Sequence, residues 1–138
     1  MTIKEKTDSI VSKFGQFSDW MDKYQLLIEM GKDAPILKDE EKLDKYLIKG
    51  CQSRLWLKAE LSDGKIKFSV NSDAVITLGI ASLLIYVFNG QTPATVLETP
   101  VDFIDRIGLR EHLSPTRSNG LTAMIKQMKL YAMAFSMS

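Results

Sequence analysis

An uncharged and largely apolar run from Ala74 to Phe88 constrains the fold of this chain more than any other feature. The run is shorter than the roughly 20 residues that a helix needs to cross a bilayer. It follows Asn71–Asp73, residues that commonly begin a helix, and it ends at Asn89 and Gly90. A helix that is apolar almost all the way round must be covered on every side. The sequence therefore predicts a buried helix at the centre of the domain and no membrane span.

A period of two in the side chains predicts a pair of strands just before that helix. Apolar and polar residues alternate from Leu55 to Leu61 and again from Ile66 to Val70. Between them, Ser62–Lys65 contains an Asp-Gly pair, which favours a tight hairpin because glycine accepts a positive φ. A lone hairpin is marginal in water, so helices must cover its apolar face. The predicted fold class is α+β, a small antiparallel sheet packed with helices.

A helical period also marks a segment near the N-terminus. Apolar side chains recur at helical spacing from Trp20 to Ile28. Ser18 is suited to cap the start of this helix, and Asp19 suits its positive end. Gly31 is the expected stop, because glycine commonly follows the last helical turn.

The remaining segments give weaker patterns. Lys38–Tyr46 is charged and has no clear period, so we expect a loop with a short helical turn. Pro93–Glu98 and Val101–Ile107 are expected to form helices of one or two turns. An apolar stripe from Leu121 to Phe135 opposes lysines on the other face and predicts a last amphipathic helix that packs on the core.

Composition excludes several classes of function. A chain of 138 residues that is 45% hydrophobic fits one domain spanning residues 1–138. Its net charge of +1, without a block of like charges, argues against nucleic acid as a partner. Residues 1–13 contain no apolar run typical of a signal peptide, so we expect a cytoplasmic protein. One cysteine and one histidine are too few for an intramolecular disulfide or a structural zinc site.

Cys51, the only cysteine, has two interpretations from the residues alone. An unpaired cysteine is often a small buried hydrophobe. Cys51 instead follows Gly50 in a polar segment between Lys49 and Arg54, just ahead of the first predicted strand. Nearby cations favour the thiolate, which is the reactive form. Both interpretations stay open at this point.

Three other residues are candidates for a site. His112, the only histidine, would form the dyad of a cysteine hydrolase or acyltransferase if it lay beside Cys51, although a loop histidine is the simpler interpretation. Asp73 is expected to cap the central helix. Arg117 precedes the last predicted helix, where a cation opposes the helix dipole, so a carboxylate or a ligand anion is expected to hold it there.

Several segments in the same order resemble the SufE family, the sulfur-acceptor partners of cysteine desulfurases in iron–sulfur cluster assembly. The similarity lies in Lys49–Leu57, Ser72–Ala74 with Gly79, Gly90–Pro93, and Leu109 with His112–Leu121. It extends over nearly the whole chain, from about Trp20 to the last helix. One departure is Arg54, where a smaller or an amide residue is common in the family. The arginine is expected to alter the charge around Cys51 without removing the nucleophile.

The resemblance implies a function for the site. Cys51 would accept sulfane sulfur as a persulfide, while Asp73 and Arg117 would affect the exposure of its loop or the contact with the partner. The fold would resemble that of IscU-type scaffolds. The implied partners are a pyridoxal-phosphate-dependent cysteine desulfurase, similar to SufS, and an iron–sulfur scaffold similar to the SufBCD complex. The pyridoxal phosphate belongs to the partner, so we expect no bound cofactor or metal here, and a monomer or homodimer.

A single cysteine suits a sulfur relay better than cluster assembly. Transfer is an exchange reaction that needs one attacking thiolate. A cluster needs about four ligands, mostly thiolates. Because stray thiols and oxidants would consume an exposed persulfide, we expect Cys51 to rest in an apolar pocket beneath its loop. An activator that stimulates the desulfurase without carrying sulfur remains an alternative.

Overall fold

The structure is a computed structural model that describes residues 2–49 and 53–137. Six helices and two strands follow one another along the described chain. They are α1 (Ile3–Gly15), α2 (Trp20–Lys32), β1 (Leu55–Ser62), β2 (Lys65–Ser72), α3 (Val75–Phe88), α4 (Pro93–Glu98), α5 (Asp102–Arg106) and α6 (Pro115–Ser136). Single 3-10 turns lie at Asp39–Glu41, Asp44–Tyr46 and Arg110–His112. The predicted α+β class is confirmed, with a two-stranded antiparallel sheet packed against helices.

The predicted hairpin and its Asp-Gly turn are confirmed. Leu55 lies opposite Ser72 at the open end, and Ser62 lies opposite Lys65 at the turn. Asp63 and Gly64 have φ values of 53° and 77°, as a two-residue turn that follows the strand twist requires. One face of the hairpin buries Leu55, Leu57, Ile66, Phe68 and Val70, as the period of two predicts. The prediction is wrong at two positions of β1, because Trp56 on the expected polar face is also buried and Leu61 on the expected apolar face is exposed.

Helix α3 is the centre of the core. Its residues from Gly79 to Ile85, with Val87 and Phe88, are buried. It packs against α1, α2, α6 and β2. Helix α2 crosses it closely, because a Cβ atom on Gly79 would lie 2.4 Å from the carbonyl oxygen of Leu27. The Ser82 hydroxyl, which is buried in the same helix, donates a hydrogen bond of 2.6 Å to the carbonyl of Met30.

Two predicted features of α2 are wrong. Asp19, not Ser18, caps this helix, since its carboxylate accepts a hydrogen bond of 3.0 Å from the Met21 amide. Gly31 does not end the helix, which continues to Lys32. Gly31 lies against Gly79, where a side chain would separate the two helices. It is therefore a packing residue rather than a terminator.

The sequence interpretation missed α1. Thr2 and Glu5 form a reciprocal capping box at its start, and Ile10 and Phe14 are buried against the core. The capping residues and the spacing of Ile3, Ile10 and Phe14 are the signals that could have predicted it. They are diluted by the many charged residues of this segment, which suggested a solvated terminus.

The second half of the chain follows the prediction except at one boundary. The short helices α4 and α5 lie close to the predicted positions, and residues 38–46 form a loop with two 3-10 turns. Helix α6 begins at Pro115, six positions before the predicted stripe starts at Leu121. Ser114 caps it by accepting a hydrogen bond from the amide of Arg117. Arg117 thus lies in the first turn of α6 and not ahead of it.

Helix α6 is tied to α4 by a partly buried lysine. The Lys129 ammonium donates to the carbonyl of Val96 and, at 2.7 Å, to the carbonyl of Thr99. These carbonyls lie at the C-terminal end of α4, where a cation is favoured. Burial lowers the pKa of Lys129 below its ordinary value. Within residues 2–49 and 53–137, no helix combines the length and apolarity needed to cross a membrane.

Candidate functional site

Cys51 itself, with Gly50 and Gln52, lies outside the described residues, and the residues that border this segment form the candidate site. The chain on the two sides of it is held together. The Ile48 amide donates a hydrogen bond of 2.8 Å to the carbonyl of Leu55, the first residue of β1. This hydrogen bond joins the chain before and after Cys51, and we call residues 48–55 the Cys51 connection.

Asp73, which directly follows β2, binds the backbone of the same Cys51 connection. Its carboxylate accepts a hydrogen bond of 3.1 Å from the Arg54 amide. The hydroxyl of the preceding Ser72 donates to the Arg54 carbonyl at 2.7 Å. Both polar backbone groups of Arg54 are therefore paired with the end of β2.

The expected role of Asp73 as a helix cap is wrong. Helix α3 begins at Val75 after Ala74, and no side chain caps its start. The Ala74 amide donates to the Ser72 hydroxyl instead, at 3.2 Å. The polar residues that resembled a helix start thus belong to the end of the hairpin, where they hold the chain that leaves the Cys51 segment.

A cavity of about 420 Å³ lies beside this connection, with Ser53 in its wall. Its walls come from β1, from α3 and from the first turns of α6. Apolar side chains line one part, namely Leu55, Ile80, Leu121 and Met124. Polar groups line the rest, namely Ser53, Thr77, Ser114, Thr116 and Arg117, and Gly120 completes the wall. The cavity is therefore only partly apolar, unlike the apolar pocket that was expected for Cys51.

The electrostatics of the cavity favour a negative charge. Arg117 supplies a guanidinium in the first turn of α6, whose N-terminal end also carries the positive pole of the helix dipole. Across residues 2–49 and 53–137, Arg117 forms no ion pair with a carboxylate. The first alternative of the sequence prediction, a partner carboxylate, is thus not observed within those ranges. The second alternative, a ligand anion, stays a prediction.

Asp73 and Arg117, the two residues predicted to position Cys51, lie near the residues that follow it in different ways. Asp73 binds the backbone of Arg54, and Arg117 lines the cavity together with Ser53. No ion pair joins the two among the described residues. The Arg54 side chain, the departure noted above, is exposed. Sequence reasoning missed Thr77, Ser114 and Thr116 as cavity residues, although Ser114-Pro115 is a recognisable helix start.

His112 is engaged in a structural cluster. Its ring stacks on Trp20, with the two centroids 3.9 Å apart and the planes inclined by 17°. The ring atom Nδ1 lies 3.0 Å from the Gly108 carbonyl, and the Tyr24 hydroxyl donates to the His112 carbonyl. His112 is not among the described residues that line the cavity beside Ser53. Nothing in these contacts supports the hydrolase dyad, whose nucleophile lies outside the described residues.

Among the described residues, no group of three or more histidine, cysteine, aspartate or glutamate side chains is placed to hold a metal ion. In the described part of the chain, Lys58 of β1 forms ion pairs with Glu41 at 2.7 Å and with Glu60 at 2.9 Å. The hydrogen bond from Lys58 is the main cause that lowers the pKa of Glu41.

Comparison with known proteins gives three similarities. A family model described as SufE, Fe-S metabolism associated domain, matches residues 8–132. An uncharacterised SufE-like protein of Synechocystis sp. is 34% identical over 136 residues, which cover 99% of this chain and 86% of that protein. The solution structure of a hypothetical protein from Thermus thermophilus superposes with a TM-score of 0.80 at 24% identity, covering 96% of this chain and 97% of that one. The last similarity concerns the fold alone.

Proposed function

The chain belongs to the SufE family, and from this premise we propose that it carries sulfur as a persulfide on Cys51 between a cysteine desulfurase and an iron–sulfur scaffold. Membership supports a role in iron–sulfur metabolism. The observation that carries the proposal of sulfur carriage is the cavity lined by Ser53, which is two residues after Cys51 in the sequence. Arg117 and the N-terminal end of α6 favour an anion in this cavity. A thiolate and a persulfide are both anions that this cavity suits.

The transfer is balanced without an external oxidant or reductant. The Cys51 thiolate attacks the outer sulfur of the persulfide on the desulfurase. A new sulfur–sulfur bond forms at Cys51, and the bond between the two sulfurs of the donor breaks. The donor cysteine leaves as a thiolate, and Cys51 holds the sulfane sulfur as a persulfide anion. The same exchange, with Cys51 as the leaving thiolate, delivers the sulfur to the scaffold.

The described residues support a clamp at the base of a loop and a cavity beside it. Ile48, Ser72 and Asp73 hold the backbone of residues 54 and 55. We propose that the loop places Cys51 in this cavity at rest and outside it when the desulfurase binds. Alkylation of the isolated chain by a bulky maleimide should then be at least about tenfold slower than alkylation of a free thiol, because a shielded thiol reacts only when the loop opens. An equal rate would refute the resting arrangement.

The experiment that tests carriage is a burst of alanine from cysteine, catalysed by a cysteine desulfurase of the same organism without reductant. Each Cys51 accepts one sulfur, so the burst should grow by about one equivalent of alanine per chain added. Cys51→Ser should remove this increment. If Cys51→Ser stimulated as strongly as the unsubstituted chain, the protein would be an activator and not a carrier.

The hydrolase alternative is tested by His112→Ala in the same assay. A carrier does not need an imidazole, so the burst should keep its size in the folded fraction of this variant. Because His112 stacks on Trp20, the folded fraction has to be measured by near-ultraviolet circular dichroism. Loss of the burst in a fully folded variant would instead support a catalytic dyad.

A further inference from the structure

A second concave surface includes the residues that precede the Cys51 segment in the chain. It is a groove of about 510 Å³ between residues 44–49 and helix α6, which we call the lysine groove. Residues 44–49 and helix α6 both contribute apolar side chains to its floor, namely Leu47, Ile48, Ala123 and Leu130. Leu47 and Ile48 belong to the chain segment that leads to Cys51, and Ile48 is hydrogen-bonded to Leu55, which follows that segment.

The rim of the lysine groove is positively charged. Lys45, Lys49 and Lys126 line it, whereas Asp44 is the one acidic residue among its described lining residues. None of these three lysines forms an ion pair within residues 2–49 and 53–137. The whole chain carries a net charge of only +1, so this excess is local. A surface with cations around an apolar floor complements a partner with carboxylates around an apolar side chain.

Helix α6 extends the apolar surface beyond the groove. Leu130, Met133 and Met137 are 46%, 49% and 82% exposed, and their spacing of three and four residues places them on one side of the helix. Large exposed apolar side chains in one stripe commonly mark an interaction surface. Methionine is common on such surfaces because its flexible side chain adapts to the partner.

We propose that the lysine groove, together with the exposed side chains of Leu130, Met133 and Met137, is the surface on which an acidic segment of the desulfurase docks. This proposal rests on the proposed function, since it names the contact that brings the partner to Cys51. Lys49 stands two residues before Cys51, so a segment seated in the groove would lie at the entrance of the Cys51 connection. Docking there would leave the cavity lined by Arg117 free to receive or release the cysteine side chain.

The test measures docking apart from sulfur transfer. Binding of the Cys51→Ser chain to the desulfurase is followed by isothermal titration calorimetry, because this variant cannot accept sulfur. Adding Lys126→Glu should raise Kd about tenfold at low salt, and adding Lys45→Glu as well should raise it further. The difference should shrink as the salt concentration rises, since salt screens charges at the surface. Lys65→Glu, an exposed lysine at the hairpin turn, is the matched control and should leave Kd unchanged.

The outcomes separate this proposal from the proposed function. If Lys126→Glu and Lys65→Glu bind equally well, the lysine groove is not the docking surface, although carriage by Cys51 would stand. If the unsubstituted chain does not bind the desulfurase at all, both proposals fail. Sedimentation that shows a dimer disrupted by Lys126→Glu, or binding to vesicles of anionic phospholipid lost in Lys126→Glu, would assign the groove to those occupants and overturn this proposal.

Discussion

Arg117 is the residue whose environment says most about the site. It occupies the first turn of α6, where the helix dipole already disfavours a cation, and it lines the cavity beside Ser53. The side chain of Arg117 is exposed, so water weakens this unfavourable interaction, and an anion in the cavity would offset it further. The Cys51 thiolate or its persulfide is the anion that the proposed function supplies.

Replacing Arg117 therefore tests the charge of the cavity. Arg117→Gln should slow the transfer of sulfur to Cys51 by roughly tenfold, because the thiolate loses a neighbouring cation, and Arg117→Lys should retain most of the rate. The measurement is single-turnover transfer from a persulfidated desulfurase. Arg110→Gln is the control, since Arg110 bonds to Thr122 and does not line the cavity. Equal slowing by both glutamine variants would contradict this role.

Asp73 is predicted to act through the backbone. Asp73→Ala leaves the Arg54 amide without its acceptor and should lower the free energy of unfolding by about 1 kcal/mol. The diagnostic reading is hydrogen exchange at the Arg54 amide, which should become faster as the base of the loop loosens. Asp73→Asn retains an acceptor oxygen and should change exchange much less. Unchanged exchange in Asp73→Ala would show that the clamp does not depend on this carboxylate.

The sequence could identify Asp73 and Arg117 but not their contacts. A cap is a local pattern, and Asn71–Asp73 has that pattern. The bond that Asp73 makes to Arg54 joins residues 19 positions apart, which no local pattern reveals. For Arg117 the argument from the helix dipole survives. The earlier start of α6 only moves this residue into the first turn, closer to the positive pole.

The crossing of α2 and α3 is a tight contact between elements. Gly31 and Gly79 face each other there, and each lets the other helix approach. The approach also permits the hydrogen bond from Ser82 to the Met30 carbonyl. Because α3 directly follows Ser72 and Asp73, the position of this helix helps to set the end of the hairpin that clamps the Cys51 connection.

Gly79→Ala should destabilise the fold strongly. The added Cβ would lie 2.4 Å from the Leu27 carbonyl oxygen, so the two helices must separate. We expect a loss of about 3 kcal/mol in the free energy of unfolding, measured by urea denaturation. Gly15→Ala is the control, because a Cβ there meets no atom within 4 Å. It should be neutral or slightly stabilising. Similar losses in both variants would contradict the packing argument.

Elements with a strong period or a defined turn were predictable, whereas packing partners were not. The alternation in β1 and β2 and the Asp-Gly turn predicted the hairpin, since these are local properties. Gly31 looked like a helix stop because a terminating glycine and a packing glycine are identical in sequence. Only the presence of α3 across from it distinguishes the two. Helix α1 was missed since its few apolar residues are separated by charges.

At the scale of the whole molecule, three glutamates make the stability of the fold depend on pH in the acid range. Glu5, Glu29 and Glu41 each have a pKa below the ordinary 4.5, mainly because of hydrogen bonds from Thr2, Lys32 and Lys58 respectively. A lowered folded-state pKa means that the unfolded chain binds protons first as the pH falls. The contribution of these carboxylates to stability is present above about pH 4.5 and is lost as the pH falls through their pKa values in the folded state.

The free energy of unfolding should therefore decrease as the pH is lowered below about 4.5. Glu41→Gln should flatten this decrease, because it removes one of the three shifted carboxylates. Glu40→Gln is the neighbouring control, since Glu40 forms no ion pair within residues 2–49 and 53–137, and it should leave the profile unchanged. Chemical denaturation between about pH 3 and pH 7 measures the three profiles. Parallel curves for Glu41→Gln and the unsubstituted chain would contradict this assignment.

The three scales meet at Cys51. Ser72 and Asp73, at the end of the hairpin, bind the backbone of Arg54, Arg117 of α6 lines a cavity together with Ser53, and the family places the chain in iron–sulfur metabolism. The most direct test is the mass of the protein after incubation with a cysteine desulfurase and cysteine, followed by peptide mapping. We predict a gain of about 32 mass units on the peptide that contains Cys51, removed by a reducing thiol. An unchanged mass in a chain that still stimulates the desulfurase would contradict the account.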